Sequence, residues 1–202
     1  MDSIKIFVEG KSDRQLIKAC VETWFNHKLT DAEIVLTGGW TNVATDQVKN
    51  QMMTNEGVSL FILDADKDCE SRRKEVLGIL DAYDLPYKLF LFPNDKDNGA
   101  VEDLLMNIIN SQNEPILDCW DKYVQCLKTK KIEGRTKPLT IPARKSEVYC
   151  YMETLLGETK KEKELIKDEN RDFKNEELWD LGNPALEPLK NFLKPYFPEK
   201  VE

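Results

Sequence analysis

The feature that most constrains this chain is a rhythm in its first hundred residues, where short runs of β-branched, aromatic and leucine side chains alternate with longer amphipathic stretches. Alternation of that kind is the mark of β-α units laid around a parallel sheet. Strands are expected over 4–8, 34–37, 58–63 and 87–92, where the apolar runs are short and bounded by turn residues. Helices are expected between them, over 12–25, 41–55 and 69–83. The first puts Leu16, Ile17, Cys20, Val21 and Trp24 on one face, with Ser12 as its N-cap, and the third gathers Val76, Leu77, Leu80 and Tyr83.

After Phe92 the polar turn residues from Pro93 to Gly99 break the rhythm, and the apolar spacing beyond them is helical over 101–109, 116–127 and 145–156. Residues 158–177 are so charged that an exposed loop or lid is expected there. The series Trp179, Leu181, Leu186, Leu189, Phe192, Leu193, Tyr196 and Phe197 predicts a closing helical element with its aromatics buried against the sheet. The fold class expected is therefore α/β. A Rossmann-like, mostly parallel four-stranded sheet flanked by helices occupies 1–112, and a helical extension at 113–202 packs on it as one compact unit.

Composition narrows the chemistry. Hydrophobic residues are 41% and charged residues 33% of 202, which suits a chain with a packed core rather than a disordered one. No apolar run approaches the ~18 residues of a membrane span, and the first apolar run, interrupted by Lys5, is unlike a signal-peptide core, so a cytoplasmic location and no membrane partner are expected. Five cysteines without a C-x-x-C pair fit neither a disulfide framework nor a zinc ribbon and read as reduced thiols. With His27 the only histidine, Ser-His-Asp and Cys-His triads and H-E-x-x-H zinc sites are excluded, and catalysis is left to carboxylates, lysines or a metal ion.

The formal charge of -8 disfavours a tight nucleic-acid binder, but its distribution does not. Residues 122–145 hold Lys122, Lys128, Lys130, Lys131, Arg135, Lys137, Arg144 and Lys145 against the single acid Glu133, so the rest of the chain is strongly acidic. Two readings stand: a polyanion docked beside a carboxylate site, for which Lys128, Lys130, Lys131, Arg135, Lys137 and Arg144 are the candidate contacts, or a solvated basic helix and loop.

Ligands of open parallel sheets sit outside the carboxyl ends of the strands. Acidic residues fall at three of those ends. Glu9 follows the first strand in Val8-Glu9-Gly10-Lys11-Ser12-Asp13, Asp64 and Asp66 follow the third in Leu63-Asp64-Ala65-Asp66, and the turn after the fourth leads to Glu102-Asp103. Residues two apart in extended chain point the same way, so Asp64 and Asp66 are expected to present paired carboxylates. An all-oxygen set with open positions suits Mg2+ or Mn2+, which keep waters and bind substrate phosphates. The bland alternative is that these acids cap helices and turns. Gly38-Gly39-Trp40-Thr41 is a further glycine-rich turn, either a plain turn or a phosphate contact, with Trp40 a stacking surface or a rim residue.

Ile6-Phe7-Val8-Glu9-Gly10-Lys11-Ser12-Asp13, with Phe61-Ile62-Leu63-Asp64-Ala65-Asp66 about fifty residues later, resembles the Toprim domain of topoisomerases, primases and overcoming-lysogenization-defect nucleases. Leu91-Phe92-Pro93-Asn94, Gly99-Ala100-Val101-Glu102-Asp103-Leu104-Leu105, Lys145-Ser146-Glu147-Val148-Tyr149 and Leu178-Trp179-Asp180-Leu181 are similar to a bacterial family of small stand-alone Toprim-like proteins of undefined function. The resemblance implies that Glu9 is a general acid or base or a metal ligand, and that Asp64 and Asp66 hold the metal. It also implies that Glu102, with Asp103 as a weaker candidate, serves a second metal position, and that Lys145 neutralises charge in the transition state.

The departures are informative. The chain has no room for a topoisomerase's separate tyrosine domain or a primase's zinc module, and no G-x-x-x-x-G-K-[ST] loop for the ATPase that usually accompanies overcoming-lysogenization-defect nucleases. The expected function is a Mg2+- or Mn2+-dependent nuclease-type phosphodiesterase acting on nucleic acid. The alternatives are a catalytically inactive Toprim-like module that binds metal, nucleic acid, a partner protein or a second copy, and a phosphohydrolase or response-regulator-like domain with Asp64 as phosphoryl acceptor.

Overall fold

A computed structural model describes residues 4–198. Its sheet has four strands, β1 (Lys5–Val8), β2 (Ile34–Leu36), β3 (Ser59–Asp64) and β4 (Tyr87–Phe92), all parallel and in the order β2-β1-β3-β4. The two central strands are buried on both faces, as parallel strands covered by crossover helices must be. Ile6 to Val8 and Leu60 to Leu63 are wholly inaccessible.

Side chains of period two send Ile6, Val8, Leu60, Ile62, Phe90 and Phe92 into one apolar layer and Phe7, Phe61, Leu63 and Leu91 into the other, where the rings of Phe7 and Phe61 stack at 4.5 Å. The second layer is closed by α2 (Asp46–Met53) and α3 (Cys69–Asp81) through Val48, Met52, Val76 and Leu80. The first is closed by α1 (Lys11–Phe25), α4 (Val101–Asn107), α6 (Arg144–Leu156) and α8 (Glu187–Leu193). Residues from both ends of the chain meet in it: Leu16 and Cys20 of α1 share one core with Met152, Trp179, Leu189 and Phe197.

Three local expectations are corrected. Gly10, not Ser12, is the N-cap of α1; its N–H donates to Asp13 Oδ2 at 2.8 Å, while Ser12 is buried and its Oγ accepts from Arg171 Nη1 at 2.8 Å. The helix expected over 41–55 is broken into a 3-10 turn at Trp40–Ala44 and α2, because Thr45 is extended and caps the second piece by accepting from Val48 N–H. Finally, the charged stretch 158–177 is largely exposed, as expected, but it is no plain loop: it is anchored in its second half and includes α7 (Lys160–Leu165). Beyond it Ile166, Arg171 and Phe173 are buried. Lys174 Nζ reaches Glu22 of α1 at 2.9 Å, and the 3-10 turn Asp168–Asn170 rests on α1 through Gln15 Nε2, which donates to the carbonyl of Glu169. Net charge does not forbid burial when each charge finds a partner.

One element stands apart. α5 (Glu114–Thr129) is sixteen residues long and buries none of them, and it leads into the loop 130–143, in which every basic side chain is exposed. Among the described residues no helix is long and apolar enough to cross a membrane.

Arg171 is the pin of the C-terminal return: 3% exposed, it donates to Ser12 Oγ and the Ile166 carbonyl, and Nη2 lies 2.8 Å from Asp168 Oδ1. Arg171→Met leaves the buried Ser12 Oγ without its donor and removes one of the three groups that face Asp168, the others being Lys145 and Tyr149. It is expected to lower unfolding free energy by about 2–4 kcal/mol in urea titration, and a loss below about 1 kcal/mol would show that the return is held by apolar packing alone.

Candidate functional site

In the order β2-β1-β3-β4 the chain leaves β1 in one direction for β2 and crosses back to the other side for β3. The carboxyl ends of β1 and β3 therefore flank the switch point, where a parallel sheet opens a crevice for ligands. Glu9 comes directly after β1 and Asp64 ends β3.

Their carboxylates are fixed by backbone donors. Asp64 N–H donates to Glu9 Oε1 at 2.9 Å and Trp40 N–H to Glu9 Oε2 at 3.1 Å, so one side chain ties β1 to β3 and to the turn after β2. That turn is the Gly38-Gly39 pair, with φ of 72° and 128°, and Gly38 N–H donates to the Glu9 carbonyl. The positive φ at both positions, rather than lack of space, is what calls for glycine there. Asp64 Oδ1 in turn accepts from Val101 N–H at 2.8 Å, at the start of α4. Asp13, 4% exposed in the first turn of α1, completes the cluster, and Glu102 of α4 interacts electrostatically with both Asp13 and Asp64.

The result is a group of like charges in a poorly hydrated crevice. Burial first, then the charges of Asp13 and Glu9, push the Asp64 carboxyl up to about 9. Burial raises Asp13 to about 6, against the pull of the Gly10 N–H and with the charge of Glu102 adding to it. Burial also raises Glu9, which its two backbone donors partly offset and Asp13 and Asp66 reinforce. Cations nearby are committed elsewhere: Lys11 to Glu169, Arg72 to Asp66, Arg144 to Asp103 and Glu147, and Lys145 to Asp168.

The expected residues divide accordingly. Glu9, Asp64 and Glu102 converge. Asp66 does not continue an extended pair with Asp64, because β3 ends at Asp64 and Asp66 has a φ of 55°. Its backbone bridges to Gly99 and its Oδ2 accepts from Arg72 Nη2 at 2.6 Å. Asp103 holds the N-terminus of α4, accepting from Ala100 N–H at 2.9 Å, and receives Arg144 Nε at 3.2 Å. Asp68 caps α3 by accepting from Ser71 N–H. Lys145 donates to Asp168 Oδ2 at 2.8 Å, with Glu102 only a minor electrostatic neighbour. Trp40 carries the Arg72 guanidinium over its ring at 3.8 Å. Asp13 lies in the motif after β1 and received no role from sequence reasoning. The available signal was its place three residues past Gly10, which puts a first-turn carboxylate of α1 beside Glu9.

Among the described residues no three His, Cys, Asp or Glu side chains form a ready cage for a metal ion. Mg2+ rarely uses one, being held by one or two carboxylates with waters and substrate phosphates completing its shell. The hard oxygen donors and the uncompensated charge at Glu9, Asp13 and Asp64 fit such an ion.

The raised carboxyls make stability depend on pH. Folded Asp64 holds its proton up to about 9 and folded Asp13 up to about 6, against 3.8 for an ordinary aspartate. Between those values the unfolded chain binds fewer protons than the folded one, so stability falls as pH rises through the window. In chelator-treated buffer Asp64→Asn, which keeps an acceptor for Val101 N–H, should be the more stable protein near pH 8 by about 1 kcal/mol or more. The gap should close as pH falls toward 4. Wild type equal to the variant at both ends would mean that Asp64 is well solvated.

No curated protein and no solved structure matches this chain. Residues 3–198, nearly all of it, match the family described as Protein of unknown function (DUF3226). By that match the chain belongs to this family.

Proposed function

We propose that the chain is a Toprim-like, Mg2+- or Mn2+-dependent phosphodiesterase of the nuclease class, acting on nucleic acid at the crevice between β1 and β3. The observation that carries the reading is the convergence of Glu9, Asp13, Asp64 and Glu102 at the switch point, with burial and mutual repulsion raising Glu9, Asp13 and Asp64. A like-charge cluster in a crevice is costly unless a cation or a proton neutralises it, and it persists where function requires it.

Glu9 and Asp64, with Asp13 behind them, would hold the ion, and the ion would supply charge neutralisation on a non-bridging phosphate oxygen. Glu9, fixed by Asp64 N–H and Trp40 N–H and raised by burial from its ordinary value, is placed to pass a proton to or from the scissile phosphate's substituents. The basic arm offers the polyanion its landing. Lys128, Lys130, Lys131, Arg135 and Lys137 line an exposed groove of about 590 Å3, and Arg144 at the arm's end pairs with Asp103 on α4, the helix whose first N–H holds Asp64. Arg144, paired with Asp103 and Glu147, orients the arm rather than contacting phosphate in this reading.

A second reading keeps the fold and the binding without cleavage: a Toprim-like module for nucleic acid, metal or a protein partner. It is favoured by Asp64, whose carboxyl burial and the charges of Asp13 and Glu9 push up to about 9, so that without a cation it is neutral at physiological pH.

Calorimetric titration with Mn2+ should give binding in wild type that is lost in Asp64→Asn. Cleavage of mixed DNA and RNA substrates should need the metal and fall by about 100-fold or more in Glu9→Gln. Cleavage that survives Glu9→Gln would overturn the nuclease reading, and metal binding with no turnover would select the second. Replacing Lys128, Lys130 and Lys131 together by alanine should weaken nucleic-acid binding and reduce its salt slope by about 2 to 3. An unchanged slope would place the polyanion elsewhere.

A further inference from the structure

α5 is amphipathic along its whole length, yet none of its sixteen residues is buried: it packs mainly on α6 and on the short turn before it, with Ile116 and Leu117 against the edge of the core. Ile116, Trp120, Tyr123 and Leu127 recur at spacings of four, three and four, which places them on one stripe of the helix. Part of that stripe, with Cys119, opens on an apolar groove of about 520 Å3 between α5 and α6. Tyr123 is 48% exposed, and its ring lies 5.6 Å from that of Trp120.

The pattern is a palindrome about the Asp121–Lys122 bond. Reflecting the helix through that point carries Trp120 onto Tyr123, Cys119 onto Val124, Leu117 onto Cys126 and Ile116 onto Leu127, while Asp121 falls on Lys122 and Asp118 on Gln125. Over 116–127 apolar positions map onto apolar ones and polar onto polar, and outside that span Pro115 falls on Lys128. A two-fold axis through this point sets each residue of one helix against its reflection in the other, so the apolar stripe of one copy meets the apolar stripe of the second.

Charge selects the orientation. The first half of α5 carries Glu114, Asp118 and Asp121, and the second half carries Lys122 and Lys128, with Lys130 and Lys131 just beyond. A parallel pair sets acids against acids and lysines against lysines. An antiparallel pair sets each acidic half against a basic half and opposes the two helix dipoles favourably.

We infer that the chain forms a two-fold dimer in which α5 packs antiparallel on α5 of a second copy, Trp120 and Tyr123 meeting their counterparts across the axis. This seam is independent of the carboxylate crevice and of the chemistry proposed there.

Sedimentation equilibrium tests it. Wild type should have twice the 23.4 kDa mass of the chain. Tyr123→Glu, at an exposed position, should keep the wild-type circular dichroism and raise the dimer dissociation constant on the order of thirtyfold or more, the effect of losing a central aromatic contact. Met53→Glu, a substitution at another exposed apolar residue, should leave the dimer intact. A readout on wild type itself guards against a variant that misfolds: amide exchange over 116–127 should slow as protein concentration rises. A monomer at the highest attainable concentration, a dimer that survives Tyr123→Glu, or exchange over 116–127 that ignores concentration would each overturn the inference.

Discussion

The carboxylate of Glu9 is the join on which the site depends. One side chain accepts the N–H of Asp64 at the end of β3 and the N–H of Trp40 in the turn after β2, so three chain segments far apart in sequence are locked at one rim. Each bond is charge-assisted when Glu9 is ionised, and such bonds are about twice as strong as neutral ones. The same ionisation is opposed by burial and by Asp13 and Asp66, which raise the carboxyl. The rim is thus held together by a group whose charged form its neighbours disfavour. Asp64 repeats the arrangement one strand over, gripping the start of α4 through Val101 while burial and the charges of Asp13 and Glu9 push its carboxyl up to about 9.

That tension rests on a rigid base. β1 and β3 are sealed on both faces, and the C-terminal return brings Phe173, Trp179, Leu189 and Phe197 into the layer that already holds α1. Residues 178–180 run beside 108–110, with Asn110 N–H donating to the Leu178 carbonyl and Asp180 N–H to the Ile108 carbonyl. The end of α4 is therefore clamped by the last fifth of the chain, and α4 carries both Glu102 and the N–H that holds Asp64. α5 touches this packing only through the half-buried Ile116 and Leu117, and with the basic loop it leaves surface to offer a partner.

Much of this was legible in the sequence, and for local reasons. The four strands were visible because apolar runs such as Leu60 to Leu63 and Leu89 to Phe92 are short, continuous and bounded by polar turns. Glu9 and Asp64 were visible because an acid directly after such a run must stand at the sheet's rim. Where the reading failed, the deciding partner was distant in sequence. Asp66 was expected to present its carboxylate in line with that of Asp64 on the assumption of extended chain, but bridging to Gly99 and pairing with Arg72 give it another orientation, still within electrostatic range of Glu9. Residues 158–177 were expected to form an exposed loop because they are charged, and while most of them are exposed, nothing local announces that Arg171 is buried against Ser12, which lies near the other end of the chain.

By itself the sequence determined the succession of strands and helices, the acids at three strand ends and the basic arm, since these depend on side-chain period, turn chemistry and charge read along the chain. The tertiary structure alone decided the strand order, because an apolar strand buried on both faces carries no label for its neighbour. That order sets Glu9 beside Asp64 at a switch point and brings Asp13 and Glu102 within electrostatic range, and the packing of the helices leaves α5 with no fully buried residue. Each is a consequence of pairing between segments that local propensity does not encode.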